Sequence, residues 1–193
     1  MKSWIVKLIG QEQNIADKLG GNIMKSIKLN NVIFPIWAMM ILPPIMFIVL
    51  GGNYIIDSAV ILISFWALKG KKLTKTSTKE FYKNSIIRVW ILGFLADIIG
   101  SIPLWGISMT SHMGFSQQFV QAIHMNPFSH LGAFFMVLAS IIIAVYFIYV
   151  FNYKISFKKV EERALKMKMS LILAIITAPW TFLIPTQWFY KGF

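Results

Sequence analysis

Apolar residues run in long stretches along most of this chain, and the polar positions between them gather into a few clusters. Residues 32–52 contain no charged side chain. At about 1.5 Å per residue they are long enough to cross a hydrocarbon core of roughly 30 Å, which predicts a first membrane-spanning helix. Gly51-Gly52-Asn53 has the chemistry of a tight reversal, so a second span is expected over 54–68, interrupted only by Asp57 and two serines. That segment reaches only about 22 Å. It must snorkel its following lysines, thin the bilayer or form a re-entrant hairpin, and Pro43-Pro44 kinks the first span in each case.

The same pattern predicts further spans over 89–107, 131–151 and 169–187, the last extended by Trp188, Phe189 and Tyr190 as an interfacial aromatic belt. Ahead of them, Trp4, Ile5, Leu8, Ile9, Ile15 and Leu19 share one side of a predicted amphipathic helix, with Lys7, Gln11, Asn14 and Lys18 largely opposite. Such a helix lies on a leaflet surface or docks on a protein. Phe115, Phe119, Val120 and Ile123 mark a second short amphipathic helix, which Asn126-Pro127 ends. Pro35, Trp37 and Pro43 find a weak echo in Pro179, Trp180 and Pro185, as an inverted repeat would produce.

Composition agrees with this pattern. The chain is 57% hydrophobic and 13% charged, with a mean hydropathy of +0.67, more apolar surface than a soluble core hides. A net charge of +12 would suggest nucleic acid in a soluble protein. Here the positions of the basic residues report topology instead, so no nucleic-acid partner is expected. Seven Lys and Arg fall in 69–88, six in 152–168 and five in 1–31, whereas 108–130 has none. With five spans, 18 of the 19 lie on one side, which predicts a cytoplasmic N-terminus and an outside C-terminus. The first apolar run leads into more apolar sequence without a small-residue cleavage pattern, so it reads as an anchor.

Candidate chemistry is sparse. With no cysteine, thiolate metal sites, thiol nucleophiles and disulfides are excluded. His112, His124 and His130 match no compact metal spacing, so neither a metal nor another cofactor is expected. Glu161-Glu162 superficially resembles the paired glutamates of CAAX-type intramembrane proteases, but the arginine completing that motif is here Lys166. Lys158, Glu162 and Lys166 stand at i,i+4 and read as a solvated helical extension with ion pairs. Other catalytic motifs are missing, so no enzyme activity is expected.

Two acids fall inside predicted spans. Asp97 is ninth in the span 89–107, near the bilayer centre, where an aspartate costs roughly 2.5–3.5 kcal/mol to insert. Gly93, Ala96, Gly100 and Ser101 share its helical face and would let a neighbouring backbone approach, so Asp97 faces protein as a hydrogen-bonding residue or as an ion site. Asp57 is expected about a turn below the outer boundary, where water reaches it, too far out to meet Asp97.

The expected molecule is therefore an all-α, five-span integral protein of a bacterial-type plasma membrane. It has a cytoplasmic N-terminal segment over 1–31 and one transmembrane domain over 32–193. Its expected partners are the bilayer, anionic headgroups at the basic face, and other membrane proteins or further copies of itself. The leading functional expectation is a noncatalytic subunit or accessory factor of a larger membrane assembly. The alternative is a small oligomeric transporter or channel for protons or cations, built on Asp97 with Asp57 and Ser101 as further polar candidates.

Overall fold

The computed structural model describes residues 35–189 apart from 41, 44, 69 and 110–113. The predicted N-terminal helix, His112 and both chain ends lie outside the described residues. Those described are helical, with no strand among them. The elements are α1 (Ile36–Met39), α2 (Ile45–Ala67), α3 (Gly70–Thr74), α4 (Thr78–Met109), α5 (Gln117–Met125), α6 (Leu131–Phe151) and α7 (Arg163–Ile176). Four helical segments are long and apolar enough to cross a membrane: Ile45–Ala67, Thr78–Met109, Leu131–Ser156 and Arg163–Leu183.

The expected reversal at 51–53 is replaced by one continuous helix over Ile45–Ala67. Gly51, Gly52 and Asn53 lie inside α2, whose 23 residues extend about 35 Å and span a bilayer unaided. Pro43-Pro44 directly precedes Ile45 and so marks the start of a helix rather than a kink within one. Glycines are tolerated in apolar helices of this kind, because no water competes for their backbone groups. The Ile36 N–H donates to Thr186 Oγ1 at 3.0 Å, so the two ends of the described region lie together.

α6 occupies the expected 131–151, and its axis continues as a π-helical turn over Asn152–Ser156, where the Asn152 amide bonds the Ile148 carbonyl at 2.9 Å. α7 begins at Arg163, earlier than expected, and stops at Ile176 ahead of Pro179, which cannot continue it. Its last carbonyls are satisfied locally: Leu173 O accepts both the Thr177 N–H and the Thr177 hydroxyl, at 2.9 and 2.8 Å, and Ile175 O accepts from Trp180 Nε1 at 2.9 Å. Because no helix covers 158–162, the expected ladder from Lys158 to Lys166 does not form. Lys166 instead places its Nζ 4.6 Å from the centre of the Tyr153 ring.

Packing divides into layers along the bundle. At the end bearing the basic loops, Phe65, Phe81 and Phe157 stack, with ring centres 4.1 and 5.7 Å apart, among Ile61, Val89, Leu165 and Leu173. At the other end, Trp37, Leu104, Ile123, Val137 and Phe182 form a second core beneath α5. Ser116 caps α5 by accepting from the Phe119 N–H, as its amphipathic pattern requires.

α6 starts on an unusual cap, since His130 Nδ1 accepts from the N–H groups of Gly132 and Ala133 at 3.1 and 3.4 Å. Removing it in His130→Ala should destabilise the fold by about 1 kcal/mol, and His130→Asn, which keeps a capping acceptor, should recover most of this in thermal denaturation.

Candidate functional site

The most extensive helix-to-helix packing joins α4 and α6, and Gly100 makes it possible. A Cβ at this position would stand 2.7 Å from Ala144 Cβ and 2.9 Å from Ser140 O. Ala96 is fully buried nearby, against Ile148 and Ala174. Gly93 lies one turn away on a different side of the contact: a Cβ there would meet Asp57 Oδ2 of α2 at 3.8 Å. The small residues of α4 therefore serve two neighbours within the chain.

Asp57 is thirteenth of the 23 residues of α2, well inside the helix rather than a turn from its outer end. The expected boundary position assumed a turn at 51–53. Without that turn, Asp57 moves to the middle of the span and faces Gly93, one helical turn from Asp97. Asp57 is 4% exposed and Asp97 6%. Both line one cavity of about 480 Å³, between α1, α2, α4 and the irregular stretch after α7.

Asn53, Thr177 and Thr181 add polar groups to a wall otherwise built from residues such as Met39, Met40, Val49 and Phe182. Among the described residues no lysine, arginine or histidine lines it. Asp97 Oδ1 is buried with no hydrogen-bond partner among the described residues. A buried carboxyl group is ordinarily paired or hydrogen-bonded, which sets Asp97 apart from the other polar groups of α4.

Ser101 does not belong to this site. It is fully buried, and its hydroxyl donates to Ile98 O of its own helix at 2.7 Å. Asn53, Thr177 and Thr181 were the residues that pattern reading missed. Asn53 carried a usable signal, since it stands four residues before Asp57 and so shares its helical face. Thr177 and Thr181 carried none, because their placement depends on how the chain turns after α7.

In the core beneath α5, His124 Nε2 and Ser108 Oγ are 2.7 Å apart. The Ser108 hydroxyl donates to Leu104 O at 2.7 Å, which leaves its oxygen free to accept from His124 Nε2–H. Trp37 Nε1 donates to Ile123 O beside it at 3.3 Å, and its ring meets Trp105 edge-on with centroids 5.4 Å apart. Burial lowers the His124 pKa from its ordinary 6.5. The unfolded chain then binds more protons than the folded one as pH falls through about 6.5, so stability declines on acidification. The thermal midpoint should fall between pH 7.5 and 5.5, with a shallower fall in His124→Gln, whose amide can still donate to Ser108.

Among the described residues no group of three or more His, Cys, Asp or Glu is placed to hold a metal ion. No family model matches the chain, and neither a curated protein nor a solved structure matches it.

Proposed function

We propose that this chain is a small multi-pass membrane protein that moves protons or cations through a site formed by Asp57 and Asp97. One observation carries the reading: two buried carboxyl groups from different spans converge on a single cavity, and no described lysine, arginine or histidine lines it. Ionisable groups inside membrane spans are costly and mark ion or substrate pathways, and a proton or a cation relieves that cost. The break in α7 beside the cavity supports the same reading, since irregular backbone within a span is tolerated where it lines a cavity and is frequent at transport sites. The proposed reading assigns no catalytic step.

For orientation, we place the two basic loops, 69–88 and 152–168, on the cytoplasmic side of the plasma membrane. Ile36 and Thr186 then lie at the opposite face, together with loop 108–130. The chain lacks cysteine, so single cysteines report this directly. An impermeant maleimide added to intact cells should label Gln118→Cys and leave Thr76→Cys unlabelled until the membrane is opened.

The competing reading, a noncatalytic component of a larger assembly, rests on the scarcity of soluble sequence, the basic cytoplasmic face and the small-residue face of α4. Gly100 and Ala96 are occupied within the chain, so that face no longer argues for it.

Vesicles containing the purified chain and a trapped pH dye, given a sodium or potassium gradient or a pH step, provide the test. Chain-dependent proton movement that is lost in Asp97→Asn and Asp57→Asn supports the site. Movement unaffected by either substitution, or none under any gradient alongside stable copurifying proteins, favours the assembly reading.

A further inference from the structure

The cavity's walls say more about its occupant than its two carboxyl groups do. Its volume of about 480 Å³ falls within the range of small-molecule sites, roughly 300–1,000 Å³, and is far larger than a bare inorganic ion needs. An ion such as calcium takes about six to eight oxygen ligands at contact distance. Here Asp57 and Asp97 face a lining dominated by methyl, thioether and ring surfaces, among them Met39, Val49 and Phe182. That combination suits a ligand with one charged centre and a hydrocarbon body.

The mouth of the cavity carries a second observation. Ile56 of α2 and Ile176 at the end of α7 line the cavity yet are 49% and 54% exposed, on the outer apolar surface of two candidate spans. An opening edged in this way faces lipid, and a ligand dissolved in the bilayer reaches the carboxylates without crossing a polar vestibule.

From these features we infer that the cavity binds a lipophilic organic cation, with its charged centre between Asp57 and Asp97 and its apolar body against Met39, Val49 and Phe182. This rests on the carboxylate-pair reading above and names its substrate class. One cation and one proton neutralise the pair, so binding exchanges with protons at the same two groups.

The test uses the full chain in mild detergent and radiolabelled tetraphenylphosphonium in equilibrium dialysis. Tetraphenylborate matches its shape with the opposite charge, and tetramethylammonium matches its charge without the apolar body. Saturable tetraphenylphosphonium binding is expected, weakened roughly tenfold or more in Asp97→Asn and Asp57→Asn and partly regained in Asp97→Glu, with neither control ion competing. Helicity by circular dichroism and gel-filtration volume establish that the variants are folded.

Absence of saturable binding, or equal competition by tetraphenylborate, overturns the inference. If tetraphenylphosphonium fails while sodium- or pH-driven proton movement still requires Asp97, the substrate class falls and the ion-site reading stands. If it binds but neither aspartate substitution matters, and proton movement is equally indifferent to them, both fall together.

Discussion

Gly100→Val should be the most damaging single substitution in the described helices. Its first added carbon would lie 2.7 Å from Ala144 Cβ and 2.9 Å from a backbone oxygen, and neither belongs to a flexible side-chain end that can swing away. Only a separation of α4 from α6 makes room, and this loosens the packing around Ala96 and Asp97 as well. Overpacking of this kind costs about 3 kcal/mol. For a chain of this size that is roughly 10 °C in thermal midpoint, or failure to accumulate in the membrane. Gly51→Ala is the matched control, because a Cβ there meets nothing within 4 Å and alanine is the better helix former. Its midpoint should hold or rise by gel-filtration thermal challenge in detergent.

The second large effect has the opposite sign. Asp97→Leu should stabilise the fold by about 1–3 kcal/mol while removing proton and cation movement, because it deletes a buried oxygen that has no partner among the described residues. The neighbouring cavity accommodates the added methyl groups. Insertion also improves, since leucine replaces a costly mid-membrane aspartate, a difference of about 3 kcal/mol on the insertion scale. A rise in midpoint combined with lost activity is the mark of a residue kept for function at the expense of stability. A structural hydrogen-bonding role for Asp97 predicts a lower midpoint in the same variant.

The membrane class and three of the four spans were legible in the chain because long apolar runs admit little else. Residues 131–151 coincide with α6, and 89–107 lie inside α4. Asp97 was legible for the same reason, as a lone charge in such a run. Asp57 was misplaced by a local rule. Gly51-Gly52-Asn53 reads as a turn in water, where exposed backbone is solvated, but the 23 residues from Ile45 to Ala67 match a bilayer's thickness better than either half of a hairpin does.

With that one misassignment corrected, Asp57 joins Asp97, and the pair becomes visible as Asn53 and Asp57 on one face of α2 opposite Gly93 and Asp97 of α4. The termination of α7 was half legible, since Pro179 announces a break. That the broken stretch folds back over the two carboxylates depends on the contact between Ile36 and Thr186, 150 positions apart, which no local pattern encodes.

A hydrophobic carbodiimide tests most directly whether Asp57 and Asp97 form one site reachable from the bilayer. The reagent partitions into lipid and couples to carboxyl groups there, and mass spectrometry of the reconstituted chain locates the adduct. One adduct per chain is expected, on Asp57 or Asp97, because the bulky product fills the shared cavity and blocks the second carboxyl. Adducts confined to Glu80, Glu161 and Glu162, or Asp57 and Asp97 modified together in one molecule, would contradict a single shared site.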